Sequence, residues 1–272
     1  MGTPDYALPT LTTISTNPDY KITGVITKPD TPKGRGQTLS PTPIKEWAIK
    51  KNIDVYTPQS KEEITKTVNT LNPDLIVIVA YGHILPKEIT DNYYCINSHA
   101  SLLPKYRGAS PIQAALLNNE SKTGITYFKL TAEMDNGPIL LKKEVAIEKH
   151  DTVKTLHDKL ALLSAEAVSE LLSTPTWQET EQDHTKASYC KKIQKEELEL
   201  RPKDDSIEII YNKIRAFSPF PGAYIIQNKK RLKIMKATFD NNTLKILEVK
   251  PEGKATMSYE DYLLGNEEIR LC

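Results

Sequence analysis

The stretch Cys95-Ile-Asn-Ser-His-Ala-Ser-Leu-Leu-Pro-Lys-Tyr-Arg-Gly-Ala-Ser-Pro-Ile112 decides how this sequence is interpreted. It begins as a short strand, stops at Pro104, continues as a polar loop and predicts a helix from about Pro111. Asn97 and His99 are two residues apart, so on an extended backbone their side chains point to the same side. In open parallel α/β sheets, ligands bind at the carboxyl ends of the strands. An amide and an imidazole at that end are suited to hold a carbonyl or an oxyanion, although an isolated Asn-x-His is more often a polar loop with an ordinary histidine.

The composition is that of an ordinary globular protein. The 272 residues are 39% hydrophobic and 26% charged, which is enough for a sizeable core and for two domains. The formal net charge is only +1, so a nucleic-acid surface would have to be a local patch. Three cysteines without a Cys-x-x-Cys spacing argue against a disulfide framework and a structural zinc site, and no metal is expected. No stretch predicts a membrane span or a signal peptide, so we expect a cytoplasmic protein.

A second strand is predicted from Asp74 to Ala80, where an almost continuous apolar run is typical of a strand buried on both faces of a parallel sheet. The turn Tyr81-Gly82 follows it directly, so it also falls at the carboxyl end of a strand. The alternating, β-branched segment from Lys21 to Thr27 predicts a further strand.

Two other segments carry residues suited to function. The loop Lys28–Gln37 contains Lys33 and Arg35 beside two glycines, which fits either a solvated surface loop or a contact with phosphates. Asp135 precedes Asn136-Gly137 between two predicted strands, and by itself it could be a simple turn aspartate.

The C-terminal part of the chain predicts a separate small domain. We expect a linker over residues 179–200 and short strands within 201–272, after a first domain over residues 1–178. The stretch from Lys229 to Lys250 contains seven basic and two acidic residues, a local positive charge that suits phosphates. Its members at the start of one predicted strand are Lys230, Arg231 and Lys233.

The pattern N-x-H-x-S-L-L-P-x-Y-R-G-x-x-P-I, with D-N-G at Asp135, resembles the 10-formyltetrahydrofolate-dependent formyltransferases. R-A-F-x-P-x-P-G-A, which ends at Ala223, resembles the start of that family's C-terminal barrel. The resemblance implies an α/β fold: a Rossmann-like domain with a mostly parallel sheet, plus a small OB-like β-barrel that is abbreviated here.

The resemblance also assigns roles to residues. Asn97 and His99 would donate hydrogen bonds to the oxygen of the tetrahedral intermediate, and Asp135 would be the third catalytic residue. Arg107 would either meet phosphates or brace its own loop. The implied folate-binding residues are Tyr81, Gly82, Ser101, Leu102, Leu103 and Pro104. The implied tRNA-binding residues are Lys33, Arg35, Lys230, Arg231 and Lys233.

The N-terminal residues Met1-Gly-Thr-Pro-Asp resemble the turn that ends the family's first strand, while the strand itself is not in the sequence. We therefore expect either a translation start upstream of Met1, which we favour, or a sheet that is one strand short.

The expected reaction is transfer of the formyl group of 10-formyltetrahydrofolate to the α-amine of methionine on initiator tRNA, by a monomer. Two alternatives stay open. The first is formylation of a sugar-nucleotide amine, which the basic loop and Ala109-Ser-Pro-Ile-Gln113 disfavour. The second is a catalytically inactive RNA-binding protein, which the presence of Asn97, His99 and Asp135 disfavours.

Overall fold

The computed structural model describes residues 1–33, 38–269 and 271. The chain divides into two compact units. Unit 1 comprises Met1–Arg107, Gly124–Val145 and Asp158–Tyr189, and unit 2 comprises Gly108–Thr123, Ala146–His157 and Cys190–Cys272. The predicted boundaries at residues 178 and 200 stay a prediction.

Helices and strands alternate through the first part of the chain, and strands dominate the last part. In chain order, the helices of the described residues are α1 (Leu8–Thr16), α2 (Pro43–Lys50), α3 (Lys61–Leu71), α4 (Lys87–Asn92), α5 (Pro111–Leu117), α6 (Val153–Ser173), α7 (Ile207–Phe217) and α8 (Tyr259–Leu263). The strands are β1 (Val25–Ile26), β2 (Thr31–Lys33), β3 (Thr38–Ser40), β4 (Val55–Tyr56), β5 (Ile76–Val79), β6 (Cys95–His99), β7 (Arg107–Gly108), β8 (Lys122–Lys129), β9 (Ile139–Ala146), β10 (Tyr189–Cys190), β11 (Ala223–Gln227), β12 (Lys230–Asp240), β13 (Thr243–Pro251) and β14 (Met257–Ser258).

The main sheet has the strand order β5-β6-β8-β9. β5 and β6 are parallel, with Ile78 opposite Asn97, and β8 runs antiparallel to β6, with Phe128 opposite Asn97. β6 is therefore paired on both edges, which fixes the position of every residue along it. Both strands predicted here, within 74–80 and from Cys95, are present.

The helix α3 shows why these residues pack as they do. The Ser60 side chain accepts a hydrogen bond from the backbone N–H of Glu63 and caps the first turn. One turn apart, Ile64 and Val68 then fall on one face and pack into a core cluster with β5, including Ile76.

The parallel part of unit 1 is interrupted between β1 and β5. Among the described residues, β1 pairs with β4 alone, in a separate two-stranded parallel sheet. Met1 and Gly2 connect β1 with β5: Gly2 N–H donates to the Ile26 carbonyl at 3.1 Å, and Val79 N–H donates to the Met1 carbonyl at 2.9 Å. Gly2 is fitted closely there, since an added Cβ would lie 2.8 Å from the Ala7 Cβ.

A cavity of about 1110 Å³ continues this gap. We call it the interstrand cavity. Its lining includes Leu11, Gly24, Val77, Leu172 and Trp177. The predicted strand Lys21–Thr27 is formed only at Val25–Ile26, because residues 21–24 line this cavity and have no strand beside them. Among the described residues, no strand fills the space between β1 and β5, and the start upstream of Met1 stays a prediction.

Unit 2 contains an antiparallel sheet in the order β11-β12-β13-β14. β11 and β12 pair from Ala223 opposite Ile234 to Gln227 opposite Lys230. The helix α7, capped by Ser206, packs against α5, and both bury apolar faces. Arg215 on α7 is buried, and its guanidinium donates to the side-chain oxygens of Asn212 and Asn119.

The predicted fold class is confirmed: an α/β domain with a mostly parallel sheet, followed by antiparallel C-terminal strands. Within residues 1–33, 38–269 and 271, no helix has the length and apolar character that crossing a bilayer requires.

Candidate active site

β6 places Asn97 and His99 on one face of the main sheet, at its carboxyl end. The intervening Ser98 points to the opposite face, where its hydroxyl lies 2.8 Å from the Ser164 hydroxyl of α6. This alternation is the strand periodicity that the sequence predicts. Within the part of the chain that the structure describes, the Asn97 amide makes no hydrogen bond, so its donors are available to a ligand.

The His99 ring is held between two groups. Its Nε2 lies 2.8 Å from the Tyr106 carbonyl oxygen, and because a carbonyl can only accept, Nε2 carries a proton and donates it there. Its Nδ1 lies 3.6 Å from Oδ2 of Asp135. The two side chains are only 7% and 13% exposed. Protonation of Nδ1 would therefore create an ion pair in a mostly dry environment.

Asp135 reaches His99 from the turn between β8 and β9. Its backbone has φ +49°, in the left-handed region that aspartate and asparagine tolerate better than most residues. Gly137 closes the turn where no side chain fits, since a Cβ there would lie 1.9 Å from the Lys129 carbonyl oxygen. The structure thus brings together the three residues predicted to be catalytic.

The segment after β6 is folded by its own polar groups. The Ser101 hydroxyl donates to the Lys105 carbonyl at 2.6 Å, and the Leu103 N–H donates to the Thr126 hydroxyl at 3.0 Å. The Leu103 side chain is fully buried beside Phe128. Ser101 and Leu103 therefore shape this segment from inside, whereas Leu102 and Pro104 are half-buried and keep exposed surface.

The Tyr81-Gly82 turn follows β5 at the same end of the main sheet. Tyr81 is buried, its hydroxyl has no hydrogen-bond partner among the described residues, and burial raises its pKa to about 12. Gly82 is exposed with φ +73°, and a Cβ there would lie 2.8 Å from the Lys28 Nζ. The sequence does not predict this contact, because Lys28 and Gly82 are far apart along the chain.

The basic residues predicted to bind tRNA have different surroundings. Arg35 and the side chain of Lys33 lie outside the described part of the structure. Lys230 is exposed, and the Arg231 guanidinium lies 4.8 Å from the centre of the Tyr224 ring. Lys233 donates to the Pro221 carbonyl at 2.6 Å, so one of its three donors is engaged within the protein.

Arg107 braces its own loop. It is buried, and its guanidinium donates to the Gln182 side chain. Of the two interpretations left open by the sequence, the structure favours the internal one. Among the described residues, no group of three or more His, Cys, Asp or Glu side chains could hold a metal ion.

Comparison with known proteins agrees with this geometry. Residues 2–172 match the family model described as Formyl transferase, and residues 192–243 match the model described as Formyl transferase, C-terminal domain. The fold and site therefore define a formyl-transferring enzyme, and the chain belongs to the formyl transferase family.

Two similar curated proteins are named methionyl-tRNA formyltransferase. Methionyl-tRNA formyltransferase from Caldanaerobacter subterraneus is 40% identical, covering 98% of this chain and 96% of the relative. The protein of that name from Bacillus licheniformis is 39% identical over 97% of this chain and 93% of its own length. A solved structure of methionyl-tRNA formyltransferase from Clostridium thermocellum has the same fold, with a TM-score of 0.59 at 24% identity over 76% of this chain and 91% of that one.

Proposed function

We propose that this protein transfers the formyl group of 10-formyltetrahydrofolate to the α-amino group of methionine on initiator methionyl-tRNA. The observation that carries the proposal is the pairing of His99 Nδ1 with the Asp135 carboxylate at 3.6 Å, beside the Asn97 amide on the same face of β6. The similarity to relatives named methionyl-tRNA formyltransferase, over nearly the whole chain, supports this acceptor.

The residues of the site fit a folate formyl donor. The Asn97 amide offers N–H donors for the formyl oxygen, and the exposed Gly82 backbone with Lys28 offers polar contacts beside it. The half-buried side chains of Leu102 and Pro104 offer apolar surface. Buried Tyr81, Ser101 and Leu103 would support this pocket through backbone groups and packing. The donor supplies the formyl group, and its nitrogen leaves with a proton.

The reaction begins when the neutral methionine amine attacks the formyl carbon. The carbonyl electron pair moves to oxygen, and the Asn97 N–H donors stabilise the negative charge; one such donor contributes roughly 3–4 kcal/mol in related acyl transfers. When its Nδ1 is protonated, His99 adds a second donor on the side that faces Asp135.

Proton transfer completes the reaction. The attacking nitrogen becomes positively charged and must lose a proton, while the leaving nitrogen must gain one. The 3.6 Å between His99 Nδ1 and Asp135 Oδ2 is slightly longer than an ordinary hydrogen bond, and hydrogen bonds of catalytic groups often tighten when substrate binds. Asp135 orients His99 and relays the proton from one nitrogen to the other, and then the carbon–nitrogen bond of the donor breaks.

The acceptor would be held by basic residues. Lys33, Arg35, Lys230, Arg231 and Lys233 are proposed to contact tRNA phosphates. Lys233 would contact phosphate through the two ammonium hydrogens that it does not donate to the Pro221 carbonyl. We propose that the protein acts as a monomer in the cytoplasm.

The test is transfer of labelled formyl from 10-formyltetrahydrofolate to methionyl-tRNA, beside His99→Ala. We expect transfer by the wild type and a loss of about 10²- to 10⁴-fold in the variant, since both proton transfer and charge stabilisation are removed. His157→Ala is the control, because His157 lies outside the site. If the wild type instead formylates a sugar-nucleotide amine and not tRNA, the proposed acceptor is wrong. Binding of tRNA without transfer to either acceptor would indicate an inactive RNA-binding protein.

A further inference from the structure

Gln182 lies buried between the Asp135 turn and Arg107, all within unit 1. Its Nε2 donates to two backbone carbonyls, those of Asp135 at 2.9 Å and Gly137 at 2.8 Å. Its Oε1 accepts from Arg107 Nε at 3.1 Å and from Nη2 at 2.6 Å. An amide side chain has two donors and two acceptor positions, so all four are used.

The turn that carries Asp135 also has local bonds, from the Thr131 hydroxyl to the Glu133 carbonyl at 3.4 Å and from the Asn136 amide to the Glu133 carboxylate. The preceding residues Ala132, Glu133 and Met134 are exposed. Because Gln182 holds the backbone carbonyls on both sides of Asn136, it fixes the turn from which the Asp135 carboxylate reaches His99.

The segment 182–188, which begins with Gln182, also supports His99, the proposed partner of Asp135. Ser188 accepts two hydrogen bonds, from Tyr106 N–H at its hydroxyl at 2.9 Å and from Arg107 N–H at its carbonyl at 2.8 Å. The Tyr106 carbonyl in turn accepts from His99 Nε2. Residues 182–188 are therefore bonded to the supports of both His99 and Asp135.

We propose that Gln182 is a positioning residue for formyl transfer, which holds the Asp135 carboxylate against Nδ1 of His99. This rests on the proposed function. Gln182 acts only through the backbone of the turn. An amide is required at this position because glutamate, of the same size, can accept from Arg107 but has no donors. Its carboxylate would then meet the carbonyl oxygens of Asp135 and Gly137 and repel them.

The kinetic test compares Gln182→Glu with Gln178→Glu, the same substitution at an exposed glutamine of the same segment. We expect kcat of Gln182→Glu to fall about 10- to 100-fold, with unchanged KM for both substrates, since a small displacement of a reacting group has costs of this size. Gln178→Glu should keep the wild-type kcat.

A double-mutant cycle separates positioning from general damage. If Gln182 acts through Asp135, Gln182→Glu should lower kcat very little further when Asp135→Asn is already present, because the effects of coupled substitutions are not additive. A wild-type kcat in Gln182→Glu, or an independent, multiplying loss in the double variant, would overturn the proposal.

A spectroscopic measurement tests the same point without activity. In protein labelled with ¹⁵N-histidine, the Nδ1 resonance of His99 is assigned by its loss in His99→Ala. We expect Gln182→Glu to move this resonance in the same direction as Asp135→Asn. Gln182→Met, which lacks the donors without adding a charge, should do the same and covers the case in which the glutamate variant does not fold. If the resonance does not move in a folded variant, the positioning role is rejected. If it moves in the variant but the wild-type protein does not formylate tRNA, only the proposed function is rejected.

Discussion

A histidine ring has two nitrogens, and in His99 the Tyr106 carbonyl accepts from Nε2 at 2.8 Å while Nδ1 faces Asp135. This arrangement selects the tautomer. Because the proton on Nε2 is held there, Nδ1 is the nitrogen available for proton transfer in the proposed reaction. The Tyr106 carbonyl thus sets which ring nitrogen of His99 faces Asp135 without a proton, although Tyr106 itself is not among the predicted site residues.

The proposed role of Asn97 as a donor to the oxyanion leads to a clear expectation for its substitution. Asn97→Ala should lower kcat by about 10²- to 10³-fold, because one donor to the developing negative charge is lost. KM for the folate should change little, since the charge exists only after attack. Steady-state kinetics at saturating methionyl-tRNA measures both values.

The matched control for that substitution is Asn92→Ala, at the exposed end of α4. It should retain the wild-type kcat. A kcat of Asn97→Ala within threefold of the wild type would rule out Asn97 as a donor to the oxyanion.

At the scale of elements, the turn between β8 and β9 holds Asp135, the proposed third catalytic residue, so a change in its backbone should affect both stability and kcat. Gly137→Ala should lower both the midpoint of thermal unfolding and kcat, because the added Cβ would lie 1.9 Å from the Lys129 carbonyl and the turn must shift. A clash with backbone costs about 1–3 kcal/mol. Calorimetry and the formyl-transfer assay measure the two effects.

Gly265→Ala serves as the control for this element, because nothing lies within 4 Å of a Cβ at that position. It should leave stability and kcat unchanged. If Gly137→Ala lowers stability but keeps the full kcat, the position of Asp135 does not depend on this turn.

Local pattern predicts most of the elements that build the site. β6 with its alternating side chains, the apolar β5 and the Asp135 turn all follow from residues within a few positions of each other. Long-range contacts do not follow in this way. Gln182 falls in the predicted linker, and nothing in the neighbouring residues shows that its amide contacts the backbone of Asp135, 47 residues earlier. The roles of the predicted catalytic, folate-binding and tRNA-binding residues stay predictions.

At the scale of the whole molecule, the terminal amine of a chain that begins at Met1 links protonation to stability. It donates to the Val77 carbonyl at 2.6 Å, and burial lowers its pKa from 8.0 to about 5. Between pH 5 and 8 the unfolded chain therefore binds more protons at this group than the folded chain. Its contribution to stability is complete above pH 8 and is lost as the pH falls towards 5.

Adding five apolar, β-branched residues before Met1 should change both properties of this region. The extension places a strand beside β1 and β5, in the interstrand cavity, and replaces the ammonium by an uncharged amide. We expect the unfolding midpoint to rise by several degrees, since 1 kcal/mol corresponds to roughly 2–4 °C in a chain of this size. We also expect its decline from pH 8 to pH 5 to become shallower.

A five-residue glycine-serine extension is the control for that experiment, because it removes the ammonium but adds no apolar side chains. It should reduce the pH dependence without the full gain in the midpoint. Equal midpoints for the two extensions would show that the interstrand cavity does not accept a strand.

Unit 2 is assembled from three separate segments of the chain, and this has a consequence for synthesis on the ribosome. α5 buries its apolar face against α7, whose first residue follows about 90 positions after the end of α5. At an elongation rate of roughly 5–20 residues per second, α5 must wait about 5 to 20 s for this partner. During that interval the nascent chain presents Ile112 and Leu116 to the cell, and the need for a chaperone should be greatest before α7 has emerged.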